Sequence, residues 1–224
     1  MELVVSDNLE YIKKLENNSI NFIYFDPPFS VTEASYDKSL NWKELWVEMW
    51  RVLKVCGVIA IHSSQPFTFD LVSSQRNHFK YCWYWNKHNK TGHLFSKKQP
   101  LRCIEEICIF YKYNKYYPQT TLKDKPHITH NTPGLYYSKK YVCKYNYPNH
   151  LLDYPRRKHK NNYSTRPDEL CEYIIKTYTD HNDLVLDLTC SDGQGGKACK
   201  KLGRRYIGVD ISPQMIIDAK NNIM

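Results

Sequence analysis

The chain has 224 residues, 42% hydrophobic and 25% charged, and a formal net charge of +9 at pH 7. That length suits one domain, or one domain carrying a large insertion, with a real buried core. Charges stand where an apolar leader would be needed in MELVVSDNLEYIKKLENN, and no run reaches the ~18 apolar residues of a membrane span, so a soluble intracellular protein is expected.

In chain order, ELVVS reads as a short buried strand ending at Asp7, and NLEYIKKLEN as a helix with Leu9, Ile12 and Leu15 on one face. NFIYF is the next strand, closed by Asp26, Pro27, Pro28 and Phe29. NWKELWVEMWRVLK places Trp42, Leu45, Trp46, Met49, Trp50 and Leu53 on one helical face. After Gly57, VIAIH resumes as a strand, and FKYCWYW and IEEICIFYK are two more, separated by a polar loop. Residues 112–160 show no sustained period and are broken by Pro118, Pro126, Pro133, Pro148 and Pro155, which marks an insertion or subdomain. Beyond it, STRPDELCEYIIKTY reads as a helix start and helix, DLVLDL as a strand, SDGQGGKACKKLG as a glycine loop entering a helix, and RRYIGVD as a strand. SPQMIIDAKNNI then forms a final helix with Ser212 as N-cap and Pro213 at its first position. Strands alternating with helices predict an α/β fold with a mostly parallel, doubly wound sheet.

The charge is concentrated. Residues 112–160 hold eleven Lys or Arg against two acids, Asp124 and Asp153, while the remainder balances at 21 of each sign. Nine tyrosines lie in the same segment, and interleaved cations and rings suit phosphate contact with base stacking. A solvated surface loop is the plainer alternative. Lys139, Lys140, Arg156, Arg157 and Lys158 are the candidate nucleic-acid contacts there, and Lys87 after WYWN is a further candidate for the target base or backbone. The eight cysteines form no C-x-x-C pair and read as reduced thiols; His127, His130 and Cys143 lack the paired spacing of a metal site, and no metal is expected.

Two stretches carry chemistry. LVLDLTCSDGQGG has the strand, glycine loop and helix of a nucleotide-type cofactor site, in which Asp187 orients the loop and Asp210, ending the next strand, is placed for ribose hydroxyls. Asp26-Pro27-Pro28-Phe29 sets a carboxylate, a stiffened carbonyl and a ring at a strand tip, an arrangement suited to a planar amine.

Together these stretches resemble the S-adenosylmethionine-dependent DNA amino-methyltransferases, whose signature is [DNS]-P-P-[YF]. The catalytic motif precedes the cofactor motif with the variable segment between them, as in the circularly permuted β group. RVLKVCGVIAIHSSQPF, YSTRPDELCEYII and LGRRYIGVDIS resemble further family stretches, so the likeness covers nearly the whole chain and is nearest to small phage- and virus-type members. It implies a Rossmann-like sheet of seven strands in the order 3-2-1-4-5-7-6, a catalytic domain of residues 1–111 and 161–224, and a target-recognition insertion at 112–160. It implies S-adenosylmethionine as cofactor, held by Asp7, Thr165, Arg166, Asp187, Thr189, Ser191, Gly193 and Asp210. Double-stranded DNA is the implied partner, with a homodimer as a family trait and a cytoplasmic setting in a bacterium or virus-infected cell, alongside restriction-modification or a mobile element.

In the implied chemistry Asp26 and the Pro27 carbonyl accept the two amine hydrogens, and Phe29 stacks on a base extruded from the duplex. Asp before the prolines leans toward adenine N6; cytosine N4, a catalytically degenerate DNA-binding relative, and an RNA base methyltransferase are the alternatives. Ser191 stands where the family has its first glycine, Asp192 adds a charge within the loop, and Arg166 replaces a usual Lys. A left-handed backbone at Ser191 would be strained.

Overall fold

A computed structural model describes residues 1–29, 40–113, 115–130, 140–158 and 164–224. The central sheet begins with β1 (Glu2–Val5), after which Asp7 caps the short helix α1 (Asn8–Ile12) by accepting from the Leu9 and Glu10 N–H groups. β2 (Ile20–Phe25) is apolar at nearly every position because both of its faces are covered, as in parallel sheets generally. Helix α2 (Trp42–Val52) is capped by Asn41 and buries Leu45, Trp46 and Met49 of the predicted face together with Val52, while Trp42 and Trp50 are half-buried and Leu53 already belongs to the next strand. It runs directly into β3 (Leu53–Ser63), followed by α3 (Phe67–Ser74), β4 (Phe79–Thr91) and β5 (Arg102–Phe110).

The segment after β5 contains more order than its lack of period suggests. β6 (Thr121–His130) and β7 (Lys140–Asn146) pair antiparallel as a separate two-stranded sheet, and β9 (Arg157–Lys158) pairs with β10 (Ser164–Thr165). Between them β8 (Leu151–Asp153) joins the central sheet beside β4. The chain closes with α4 (Asp168–Tyr178), β11 (Leu184–Asp187), α5 (Gln194–Leu202), β12 (Arg205–Asp210) and α6 (Pro213–Ile223).

Across the central sheet the order is β1-β12-β11-β2-β3-β5-β4-β8. β1 to β3 are parallel, β5 lies antiparallel to both β3 and β4, and β8 is parallel to β4. Seven strands were expected, and the eighth comes from the Tyr-rich segment itself. Leu152 is the reason: it is only 5% exposed and packs in the same core as Trp83, Trp85 and Tyr178. β1 also differs from a buried strand, since it lies at the sheet edge with Glu2 and Val5 exposed.

One core layer places α4, α5 and α6 against the sheet, with Phe22 and Tyr178 stacked at 5.8 Å; the other uses α2 and α3, with Trp46 meeting Phe110 at 5.0 Å. This puts helices on both faces, while the carboxyl ends of β1, β12, β11, β2 and β3 point the same way. No helix among the described residues is long and apolar enough to cross a membrane.

If β8 is part of the folding unit, Leu152→Ala should lower unfolding free energy by about 2–4 kcal/mol in urea titration. Leu151→Ala on the same strand, where the side chain is exposed, should change it by less than about 0.5 kcal/mol.

Candidate active site

Three acids converge at the carboxyl edge of the sheet because three adjacent parallel strands end there. Asp187 closes β11, Asp210 closes β12, and Asp26 follows β2. In α/β sheets this edge, at the point where strand order reverses, is where ligands bind.

Thr189 joins the two halves of the site. Its hydroxyl donates to the Asp26 carbonyl at 2.9 Å and accepts the Asp26 N–H at 3.1 Å, so one side chain ties the Asp-Pro-Pro segment to the glycine loop. Asp210 braces the same loop from the other side, with one carboxylate oxygen accepting the Ser191 N–H at 3.0 Å and the other the Ser212 N–H at 2.8 Å. Ser191 takes φ of 47°, the left-handed conformation that is unfavourable for a residue with a side chain. Gly193 (φ 86°) caps α5, and a Cβ there would come within 2.9 Å of Ala219 Cβ. At Gly195 a Cβ would approach Asp187 Oδ2 to 2.6 Å, so glycine permits the loop to close over that carboxylate.

Asp187 itself is buried. It accepts from Tyr206 Oη at 2.9 Å and from the Thr189 N–H at 3.3 Å. Burial pushes its carboxyl up to about 7 against the effect of both bonds. Asp7 lies beside these groups at the edge, where the Ser6 N–H bonds the Asp210 carbonyl, and its carboxylate is engaged in capping α1.

Around Asp26 two of the candidate cations meet acids of the chain itself. Arg166 was read toward a cofactor carboxylate, but its Nη2 lies 2.5 Å from Asp26 Oδ1 and its Nη1 3.0 Å from Glu105 Oε2. Its guanidinium also rests over the Trp85 ring, 5.1 Å from the centroid. Lys87 was read as a nucleic-acid contact, but its ammonium is buried and bonds Glu105 Oε1 at 2.7 Å. Burial works against Glu105's charge, yet Arg166 and Lys87 outweigh it and hold the carboxyl down at about 2. The same two partners, Asp26 and Glu105, raise the Arg166 guanidinium further despite its burial.

Glu105, Trp85 and His62 are candidate site residues that the sequence analysis missed. Glu105 and Glu106 do carry a signal, since adjacent acids inside an apolar strand must point to opposite faces, and one of them has to enter the core. His62 lies at the end of β3 with Nε2 2.7 Å from the Tyr24 hydroxyl, and burial followed by the Arg166 charge lowers it to about 4, so it is neutral. Phe29 stacks on Phe67 at 5.5 Å, and Phe67 in turn meets Trp42 at 5.4 Å.

Of the basic candidates, Arg156 is half-buried near this cluster; burial and then Arg166 lower its guanidinium. Lys140, Arg157, Lys158 and Thr165 belong to β7, β9 and β10, but their side chains, like all of Lys139, lie outside the described residues. His127 pairs with Cys143 across β6 and β7, and among the described residues no group of three or more His, Cys, Asp or Glu could hold a metal.

The fold and this edge define a Rossmann-like α/β protein with a glycine loop of cofactor-binding type and an acidic, proline-braced strand end beside it. The family model for N6/N4-type DNA methylases matches residues 20–221, and the chain belongs to that family of DNA methyltransferases. It is 24% identical to the type II methyltransferase M.HpaI of Haemophilus parainfluenzae over 99% of this chain and 73% of the relative. It is 25% identical to the DNA adenine methyltransferase YhdJ of Escherichia coli over 96% and 79%. Among solved structures, the M1.HpyAVI–SAM complex aligns with a TM-score of 0.66 at 24% identity, covering 98% of both chains. The cytosine-N4-specific PvuII DNA methyltransferase aligns at 0.69 and 16%, covering 99% of this chain and 86% of that one. At such identities the structural matches speak for the fold alone.

The buried Asp187 makes a prediction. Its folded pKa is raised, so the folded state keeps a proton that the unfolded chain releases near pH 4. Its contribution to stability is complete below that pH and is lost as pH rises through about 7, at no more than about 1.4 kcal/mol per pH unit. Asp187→Asn removes this dependence. The melting temperature of the wild type relative to the variant should therefore fall between pH 4 and 7 and stay level above about 8, as followed by differential scanning calorimetry.

Proposed function

We propose that this DNA methyltransferase is a member of the circularly permuted β group and methylates the exocyclic N6 of adenine in duplex DNA, with the base extruded from the stack. The observation that carries the reading is the Asp26-Pro-Pro segment held by Thr189 against the cofactor-type loop. The chain order supports the permutation, since the catalytic strand β2 precedes the cofactor strands β11 and β12. An acid before the prolines and the similarity to an adenine enzyme from E. coli favour adenine over cytosine.

The loop fits S-adenosylmethionine. Gly193 and Gly195 keep the backbone bare, Asp210 fixes the loop's height, and Gln194 leaves a buried, unpaired carbonyl oxygen, an acceptor suited to the ammonium of an amino-acid moiety. Asp7, Asp187, Ser191 and Asp210 would frame the nucleoside part, with Thr189 between donor and acceptor sites. Bound there, the cofactor supplies a methyl group on a cationic sulfur.

The remaining work falls to the chain. An exocyclic amine is a weak nucleophile because its lone pair is delocalised into the ring. Asp26 accepts one amine hydrogen and the Pro27 carbonyl the other, which favours a tetrahedral, electron-rich nitrogen. Prolines stiffen that backbone, so the acceptors are aligned before the base arrives. Phe29, backed by Phe67, offers a ring for stacking, worth about 1–3 kcal/mol per base. Residues 112–160 form the target-recognition segment in this reading; its concentrated charge and the exposed Tyr145 and Tyr147 support that role.

A second reading, a degenerate DNA-binding relative, draws on the strained Ser191 and the buried Asp192 in the loop. Nucleoside digests of DNA treated with protein and S-adenosylmethionine separate the two. N6-methyladenine should appear with the wild type and fall at least 100-fold with Asp26→Ala. N4-methylcytosine would move the target base, and no methylated nucleoside together with intact DNA binding would favour the degenerate relative.

Log affinity for DNA should also fall with log salt by about 0.9 per phosphate contact. Replacing Arg156, Arg157 and Lys158 with Gln should flatten that slope in fluorescence-anisotropy titrations, and an unchanged slope would place the phosphate contacts elsewhere.

A further inference from the structure

Asp26, Arg166, Glu105 and Lys87 form a continuous chain of alternating charge, and only the first of them belongs to the amine-binding motif. The side chains of Arg166, Glu105 and Lys87 are 14%, 9% and 5% exposed, so three ionic groups have been taken out of water. Buried pairs of this kind rarely repay their desolvation in stability relative to apolar packing, and their best-attested use is to fix a particular arrangement. Here the arrangement is that of a carboxylate. Arg166 Nη2 holds Asp26 Oδ1, and no described residue bonds Oδ2. Nη1 of the same planar fork is ion-paired with Glu105 Oε2 at 3.0 Å without hydrogen-bond alignment, the other Glu105 oxygen accepts from Lys87, and the Trp85 ring lies under the guanidinium.

We propose that Glu105 is a positioning residue for methyl transfer: acting through the Arg166 fork, it fixes the rotation of the Asp26 carboxylate so that Oδ2 is presented to the substrate amine. This rests on the reading of Asp26 as the amine acceptor. Pro27 and Pro28 stiffen the backbone behind Asp26 but leave its own side-chain torsions free, so the carboxylate needs a second constraint. A guanidinium hydrogen-bonded to Asp26 at one end and ion-paired with Glu105 at the other provides one. An ammonium in its place would be a point charge and could not transmit orientation from Glu105 to Asp26. The clamp also accounts for Lys87, which neutralises Glu105 and leaves the cluster with two charges of each sign.

Two measurements test this role. The first needs neither DNA nor cofactor: arginine-selective ¹⁵N NMR of the full chain should show separate, slowly exchanging Nη–H signals for Arg166, as expected when both ends of the fork are held. Glu105→Gln should merge or broaden them. A freely rotating wild-type fork would overturn the clamp.

The second is kinetic. Glu105→Gln and Arg166→Lys should each lower kcat at least tenfold while KM for S-adenosylmethionine and DNA stays within about threefold, and the double variant should be no slower than the slower single one. Because Glu105→Gln leaves two buried cations facing one carboxylate, Lys87→Met/Glu105→Gln is the companion variant. It restores charge balance and should fold, yet remain impaired in kcat. An unchanged kcat in either Glu105 variant, or a raised KM for the cofactor in Arg166→Lys with kcat intact, would overturn the positioning role. A wild-type chain that methylates no DNA would sink the functional reading and this role together, and an arrested fork in that same chain would mark the clamp as structural.

Discussion

The hydroxyl of Thr189, bonded to both backbone groups of Asp26, is the contact on which the site depends. Asp26 follows β2 and Thr189 follows β11, so the bond joins two parallel strands that are neighbours in the sheet and 163 positions apart in sequence. Neither segment could hold its geometry alone. The prolines stiffen their own backbone but do not set its height above the sheet, and the loop after β11 contains a left-handed Ser191. Fastened together, with Asp210 bracing the loop from β12, they form one continuous rim at the sheet's carboxyl edge.

Electrostatics give that rim its second property. Asp26 is not a lone carboxylate facing a cationic cofactor. It belongs to a buried cluster in which Arg166, Glu105 and Lys87 alternate in sign, so the local charge is close to balanced. A neighbouring group behaves in the opposite way: burial keeps the Asp187 carboxyl protonated up to about pH 7, and it works as a hydrogen-bonded strut under the glycine loop. Two acids on adjacent strands therefore have different duties, and the difference comes from an arginine beside one and a tyrosine hydroxyl beside the other.

The variable segment is not a simple appendage. Its hairpin β6–β7 is a separate sheet, but β8 is hydrogen-bonded into the central sheet, and the Trp85 indole donates to the Tyr154 carbonyl at 2.7 Å. The Arg156 N–H bonds the Lys87 carbonyl at 3.0 Å. The strand that carries Trp85 and Lys87 is thus fastened both to the cluster around Asp26 and to the most basic stretch of the chain.

Most of the architecture was legible in the sequence, because apolar runs with turn signals at their ends depend only on local order. β2, α2, α4, β11, β12 and α6 stand close to where periodicity and capping residues put them. The paired motifs Asp26-Pro27-Pro28-Phe29 and Asp187 to Gly193 were legible too, since proline and glycine act on their own backbones. α3, begun after an unremarkable Gln65-Pro66, and β8, three residues long, gave no periodic signal. The partners of charged side chains were beyond reach for a different reason. Lys87 in a polar loop context and Arg166 at a helix start look alike in sequence whether they face solvent or a carboxylate. Only the folding of β4 against β5, and of α4 over both, brought Glu105 between them. The sequence by itself determined most strands and helices and the places of the proline and glycine motifs, because those follow from neighbours along the chain. The tertiary structure alone decided which cation meets which acid, because ion pairing is set by separation in space and by loss of water, and neither is written in linear order.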